Sequence, residues 1–177
     1  VLGFMRLLHA SECLNMGYRN MTISTSGIVP QIYALAEENL PVTLSISLHA
    51  PDQELRSELM PVNRKYPLQD VVAAAKAYAD KTKRRVTYEY ILIDGVNDTE
   101  RCAAELAVLL RGQLANVNLI PINPVAERNW RRPSSERIQA FETYLMKHHI
   151  TATVRREMGR DIQAACGQLR NKYMKKD

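Results

Sequence analysis

One cysteine near the end of the chain has neighbours that suit sulfur chemistry. Cys166 stands between Ala165 and Gly167, whose small side chains leave room for a large partner to approach the sulfur. Cationic groups nearby favour the reactive thiolate form of a cysteine, and Arg155, Arg156 and Arg160 lie close in sequence. The alternative is a buried structural cysteine, which is a common environment for a free thiol.

Polar residues also collect where predicted strands end. The segments are Ser24 to Gly27, Ser47 to Pro51, Asp94 to Asn97, Pro121 to Pro124, and Arg155 to Gly159. Ligands of parallel sheets bind beyond the carboxyl ends of the strands. Hydroxyls, amides and one imidazole suit a neutral or zwitterionic molecule with ribose, base and amino-acid groups. The alternatives are that His49 is a satisfied core histidine and that Asn123 only ends a strand.

Two common types of site are missing from the sequence. It has no phosphate-binding glycine loop of either the P-loop or the dinucleotide type. It also has no carboxylates or histidines at metal-ligand spacing, so we expect no metal ligands in this chain.

Strands and helices alternate along the chain. We predict strands at 20–26, 41–48, 85–93, 116–122 and 150–156. Helices are predicted over 1–17, from Pro30 to about Asn39, in a short segment opened by Pro51 and Asp52, over 68–82, over 99–111 with Asp98 as N-cap, and after a cap at Ser134 or Ser135. This order favours a parallel sheet with right-handed crossovers, either doubly wound or part of a TIM-type barrel.

The two faces of the predicted strands differ in polarity. In strand 41–48, Val42, Leu44, Ile46 and Leu48 share one face, whereas Thr43, Ser45 and Ser47 share the other. The remaining strands repeat this pattern. We therefore predict an α/β fold, an open partial (β/α) barrel of about five parallel strands, with helices on the apolar face and a polar lumen. The alternative is an antiparallel sheet with one solvated face.

Composition and charge indicate where the protein works and which partners it has. A net charge of +5 suits a nucleic-acid partner, and equally an ordinary basic surface. Three widely spaced cysteines favour a reducing, cytoplasmic location. Cys102 is predicted to face the hydrophobic core from helix 99–111. The sequence has no apolar run of membrane-spanning length and no signal-peptide pattern, so we expect no membrane partner. The basic loop Arg128 to Arg132, which includes Trp130, and the tail Arg170 to Lys176 are candidate RNA contacts; the alternative is a solvated surface.

Four segments together resemble one enzyme family. They are Thr22-Ile-Ser-Thr-Ser-Gly-Ile-Val-Pro30, Leu44-Ser-Ile-Ser-Leu-His-Ala-Pro51, Val117-Asn-Leu-Ile-Pro-Ile-Asn-Pro124 and Asp161-Ile-Gln-Ala-Ala-Cys-Gly-Gln-Leu169. In this order they resemble the RlmN/Cfr family of radical S-adenosylmethionine (SAM) methyltransferases, which modify adenine in 23S ribosomal RNA. The resemblance runs from about residue 20 to residue 170, and it implies an open partial (β/α) barrel.

The resemblance also implies roles for individual residues. The positions that match SAM-binding residues of the family are Ser24, Ser47, Leu48, His49 and Asn123. Cys166 matches the cysteine that is S-methylated by one SAM and carries the carbon to C2 of adenine, after a second SAM is cleaved to a 5′-deoxyadenosyl radical. A second cysteine then releases the product. The implied partners are 23S rRNA, transfer RNA as a further candidate, and an external electron donor.

The sequence departs from the family pattern in three ways. The C-x-x-x-C-x-x-C motif that holds the [4Fe-4S] cluster, the Gly-Glu-Pro segment and the N-terminal RNA-binding region with the second cysteine are all absent. We therefore expect residues 1–177 to be a single domain, the C-terminal portion of a longer radical SAM enzyme, and to be inactive alone.

Two other functions remain open. A Cfr-type enzyme, which methylates C8 of adenine instead of C2, shares all four segments. A non-catalytic RNA-binding α/β domain with Cys166 packed in its core is the alternative outside enzymes. A thiol oxidoreductase is disfavoured because the sequence has no C-x-x-C pair.

Overall fold

Five parallel strands form one open sheet in the computed structural model, which describes residues 1–123 and 129–155. The strands are β1 (Thr22–Thr25), β2 (Thr43–Ser47), β3 (Val86–Leu92), β4 (Ala115–Pro121) and β5 (Thr151–Val154). They lie in chain order, and each pairs in parallel with the next. Within the described ranges β1 and β5 are edges, so the sheet is not closed. The predicted five-stranded partial barrel is confirmed, and the antiparallel alternative is wrong.

At least one helix separates each pair of consecutive strands, as a parallel sheet requires. The helices are α1 (Leu2–His9), α2 (Val29–Glu37), α3 (Gln53–Leu59), α4 (Leu68–Thr82), α5 (Glu100–Leu109) and α6 (Ser135–Lys147). Short 3₁₀ turns cover Tyr18–Asn20 and Pro61–Arg64. None of the helices in the described ranges is long and apolar enough to cross a bilayer.

The hydrophobic core lies between the helices and the apolar face of the sheet. Leu44 and Ile46 of β2, Tyr88 of β3 and Leu119 of β4 are almost completely buried there. Helix residues such as Tyr78 of α4 pack into the same cluster. Burial of this apolar surface is the main stabilising contribution to the fold.

The opposite face of the sheet is polar, as the alternation predicted. Strand register places Ser24, Ser45, Thr87, Asn116 and Thr151 side by side in one row. The next row toward the carboxyl ends contains Ser47, Glu89, Asn118 and Thr153. Successive side chains of a strand point to opposite faces, so these rows share the face away from the core.

Most predicted helix boundaries are confirmed, and two are wrong. Thr99, not Asp98, caps α5 by accepting from Cys102 N at 3.2 Å. Asp98 is instead held in the preceding turn, where it accepts from Gly95 N at 2.9 Å and lies 3.3 Å from Arg137 Nε. The first helix ends at His9 rather than continuing to residue 17. Ser11 and Asn15 disfavour a helix interior, and Asn15 has a positive φ of 46°.

Candidate functional site

The carboxyl ends of the parallel strands bring the predicted SAM-binding residues to one edge of the sheet. Ser24 is exposed on the polar face of β1, and Ser47, the last residue of β2, is half-buried. Asn123 is half-buried and lies two residues beyond the end of β4. The Leu48 side chain is fully buried, so Leu48 can contribute to a site only through its backbone.

His49 has a fixed backbone and a fixed ring. Its φ is 62°, in the left-handed region. Ring Nδ1 accepts a hydrogen bond from Ile91 N at 3.2 Å, which places the proton of a neutral ring on Nε2. Burial, with a smaller contribution from the Arg56 charge, lowers the pKa of His49 to about 4. At neutral pH the ring is therefore an uncharged donor through Nε2–H.

Arg56 of α3 ties the ends of β1 and β2 together. Its side chain is completely buried. Nη2 donates to Ser26 O at 3.0 Å and to Ser47 O at 3.2 Å, and Nε donates to Leu48 O at 3.2 Å. Nη1 donates to Asn63 Oδ1 at 2.6 Å. Burial lowers the pKa of the guanidinium, which nonetheless keeps its charge because arginine is so basic.

Asn97 makes the corresponding connection between β2 and β3. Its amide group is completely buried in the turn that follows β3. Nδ2 donates to His49 O at 2.8 Å and to Ile91 O at 2.5 Å. Oδ1 accepts from Ile93 N at 2.8 Å. The backbone of His49 is thereby attached directly to the end of the neighbouring strand.

A carboxylate lies on the polar face just below this edge. Glu89 Oε1 accepts from Ser45 Oγ at 2.8 Å, and Oε2 accepts from Asn118 Nδ2 at 2.7 Å. These bonds connect β2, β3 and β4 across the lumen side of the sheet. These two hydrogen bonds hold the carboxyl group of Glu89 in a fixed position on the polar face.

Gly27 is required at the end of β1. Its φ is +100°, and a Cβ built there would lie 2.9 Å from Val71 Cγ2 and 3.1 Å from Arg56 Nη2. Only glycine combines this backbone with so close an approach. The absence of a side chain lets the buried guanidinium reach the carbonyl of Ser26.

Comparison with known proteins identifies the family. Residues 3–106 match the radical SAM superfamily. The chain belongs to this superfamily. A crystal structure of a radical SAM methyltransferase from Sphaerobacter thermophilus superposes with a TM-score of 0.90 at 53% identity, covering 94% of this chain and 49% of that one. A domain of pyruvate-formate lyase-activating enzyme from Bacteroides vulgatus shares the fold, with a TM-score of 0.62 at 19% identity.

Curated relatives carry a more specific name. A "Probable dual-specificity RNA methyltransferase RlmN" from Symbiobacterium thermophilum is 61% identical over 177 residues, which are 99% of this chain and 48% of that protein. A protein of the same name from Lachnoclostridium phytofermentans is 54% identical over 173 residues, 98% of this chain and 49% of that protein. The chain thus spans about half the length of the curated relatives it matches. The predicted RlmN-type resemblance is confirmed.

The two radical SAM cofactors, SAM and a [4Fe-4S] cluster, fit this chain differently. The neutral donors and acceptors of Ser24, Ser47, His49 and Asn123 fit a nucleoside joined to an amino acid. The described ranges contain no group of three or more cysteine, histidine or acidic side chains that could hold a metal ion. An iron–sulfur cluster is held by several cysteine thiolates together, and the described ranges contain only two cysteines, the exposed Cys13 and the buried Cys102. Membership of the radical SAM superfamily confirms the two predicted cofactors, SAM and the [4Fe-4S] cluster. The residues that hold the cluster are not among those that the structure describes.

Several predictions fall outside what the structure describes. Cys166 lies outside the described residues, as do Arg128 and the basic tail Arg170 to Lys176. In the basic loop, Arg131 is exposed and its carbonyl accepts from Asp94 N at 2.9 Å. Sequence reasoning missed Arg56 as a site residue and placed Asn97 only within the polar strand-end segment Asp94 to Asn97, without a role of its own. The available signal was weak: Asn97 follows an Asp-Gly turn, and Arg56 lies one turn after the cap Asp52.

Proposed function

We propose that this chain is part of an RlmN-type radical SAM enzyme that methylates C2 of an adenine in 23S ribosomal RNA. Transfer RNA is a further candidate substrate. The observation that carries the proposal is the 61% identity over 177 residues with a probable dual-specificity RNA methyltransferase. We choose C2 over the Cfr-type C8 because the relatives bear the RlmN name.

In this proposal the edge formed by the carboxyl ends of the strands binds SAM, which supplies the methyl carbon when bound. Ser24 and Ser47 offer hydroxyls that both donate and accept hydrogen bonds, and Asn123 offers an amide that does the same. The neutral ring of His49 offers an Nε2–H donor, and Leu48 shapes the turn through its backbone. An uncharged set of this kind suits ribose and base without repelling a sulfonium.

Cys166 is the proposed methyl carrier. A sulfur is needed because C2 of adenine is not nucleophilic, so a direct polar methyl transfer from SAM cannot reach it. Its sequence neighbours Ala165 and Gly167 have the smallest side chains, which is why we propose that a nucleobase can approach the sulfur. The proposed partners are the RNA substrate and an external electron donor, and the proposed location is the cytoplasm. Residues 1–177 would then form a single domain within a longer protein.

The test is RNA methylation by the full-length enzyme after cluster reconstitution, with the product nucleoside identified by mass spectrometry. We expect 2-methyladenine, abolished by Cys166→Ala. Cys13→Ala is the matched control, because Cys13 is exposed on a surface turn and has no role in the proposal. Methyl groups at C8 would assign the Cfr type. RNA binding without methylation, together with a Cys166 thiol that alkylates only on unfolding, would favour the non-catalytic domain.

A further inference from the structure

Strand β2 ends in a backbone that departs from regular strand geometry. Leu48 N and His49 N both donate to the same acceptor, Glu89 O, at 3.0 and 3.3 Å. Consecutive residues of a regular parallel ladder do not share one carbonyl in this way. His49 then turns into the left-handed region. This conformation is unfavourable for a residue with a Cβ and persists only where the surroundings fix it.

Arg56 fixes the residues that precede His49. All four of its hydrogen bonds within the described ranges go to neutral acceptors, three of them backbone carbonyls. A buried charge is costly unless its donors are satisfied, so this arrangement stabilises the protein only while the carbonyls of Ser26, Ser47 and Leu48 keep their positions. The planar guanidinium holds them in one fixed pattern. Asn63 is in turn fixed by bonds to Gln53 O at 3.0 Å and Ser57 Oγ at 2.8 Å.

Asn97 fixes His49 from the other side. Its Nδ2 binds the carbonyl of His49 and that of Ile91. Ile91 is the residue whose amide donates to the His49 ring. One buried amide therefore sets the distance between the His49 backbone and the strand that orients its imidazole.

We infer that Arg56 and Asn97 are positioning residues for SAM binding. They fix the turn from Ser47 to His49 so that the Ser47 hydroxyl and the His49 Nε2–H meet the ligand together. The inference rests on the proposed function. Neither residue contacts SAM in this account, because both side chains are completely buried and bonded within the protein. Both act through Ser47 and His49.

Three substitutions test the inference in the full-length enzyme. Arg56→Met removes every donor while keeping an apolar stem, Arg56→Lys keeps the charge without the planar fork, and Asn97→Ser shortens the second connection. Tyr78→Phe is the matched control. Its buried hydroxyl donates to Val42 O at 2.9 Å, so it also ties a helix to β2, but at the opposite, amino end of the strand. Should Arg56→Met fail to fold, Arg56→Lys and Asn97→Ser decide the question.

The first readout is the dissociation constant for SAM, measured by calorimetry, beside kcat at saturating SAM. When the protein groups that contact SAM are displaced, they lose hydrogen bonds to it and binding weakens. We therefore expect Arg56→Lys and Asn97→Ser to raise the Kd for SAM roughly tenfold or more. We expect kcat at saturating SAM to stay within about threefold of the parent, as uniform loss of binding predicts. Tyr78→Phe should leave Kd within about twofold. An equal loss in Tyr78→Phe would indicate general destabilisation and overturn the inference.

The second readout does not depend on SAM. With ¹⁵N at histidine only, the ring signals of His49, assigned with His49→Gln, report which nitrogen carries the proton. The parent protein should show a protonated Nε2 and an unprotonated Nδ1. Arg56→Lys and Asn97→Ser should shift these signals toward a mixture of the two forms. Unchanged ring signals, or changed signals with an unchanged Kd, would overturn the inference. Failure of the parent to bind SAM would instead refute the proposed function, and the ring signals alone would then decide whether the two residues position His49.

Discussion

The half-buried imidazole of His49, whose lowered pKa keeps it neutral, predicts a specific loss of stability in acid. The pKa of His49 is lowered from its ordinary 6.5 to about 4 in the folded chain. In the unfolded chain the ring titrates normally, so below pH 6.5 the unfolded state binds a proton that the folded state excludes. The stability that His49 contributes is therefore complete above pH 6.5 and is lost progressively as pH falls to about 4.

The size of this effect follows from the two pKa values. The two pKa values of His49 differ by about 2.5, and each pKa unit corresponds to about 1.4 kcal/mol, so the loss of stability amounts to roughly 3.5 kcal/mol once pH is below both values. At pH 5 about 2 kcal/mol of it should already be lost. His49→Gln removes the titrating ring but keeps an oxygen that can accept from Ile91 N. The variant is expected to be less stable than the parent at pH 7.5, by a margin that shrinks by about 2 kcal/mol at pH 5.

Urea unfolding followed by circular dichroism at pH 7.5 and pH 5 measures this change. Comparing the two proteins at each pH cancels the titration of every other group. His148→Gln is the matched control, since His148 lies exposed at the end of α6. If the free energies of unfolding of the parent and His49→Gln fall in parallel between the two pH values, the folded chain does not hold the ring in its neutral form, and the reasoning about its proton is refuted.

Three further predictions follow from other parts of the chain. Gly27→Ala should lower the free energy of unfolding by about 3 kcal/mol, from its positive φ and its contacts with Val71 and Arg56. Gly95→Ala, whose Cβ would meet nothing within 4 Å at a φ of +69°, should lower it by only about 1–2 kcal/mol, and equal losses would contradict the contact argument. Charge reversal at Arg131 and Arg132 in the full-length enzyme should weaken RNA binding in filter assays, with Arg101→Glu on α5 as control; unchanged affinity at low salt would remove this RNA surface. After iron reconstitution, the 177-residue chain alone should release no 5′-deoxyadenosine from SAM, and cleavage above background would contradict the view that cluster ligands lie elsewhere.

The sheet could be predicted because its two faces differ so clearly in sequence. Alternation in strand 41–48 predicts the burial of Leu44 and Ile46 and the half-buried Ser47. Ser45 on the polar face is buried as well, where its hydroxyl donates to Glu89. Helix α4 also matches its prediction, since one apolar stripe runs through all of Leu68–Thr82. Period-two and helical patterns are local properties of the chain, so they are visible without the fold.

The residues that stabilise the site could not be predicted in the same way. Arginine is usually exposed, and no pattern in the sequence around Arg56 predicts that its guanidinium is buried. Its hydrogen-bond acceptors include Ser26, Ser47 and Asn63. These residues belong to three separate segments of the sequence, which meet only in the folded chain. Asn97 likewise binds a carbonyl that is 48 residues away. The predicted Asp98 cap of α5 was wrong for the same reason. In the folded chain Asp98 forms an ion pair with Arg137 of α6, which lies far away in sequence.

A crystal structure of the full-length enzyme with its cluster and SAM would test the central claim most directly. We predict SAM at the carboxyl ends of β1 to β4, with Ser24, Ser47, His49 Nε2 and Asn123 within hydrogen-bond distance of it, about 3.5 Å or less. SAM bound on another face of the sheet, or at this edge with the His49 ring turned away from it, would contradict the account.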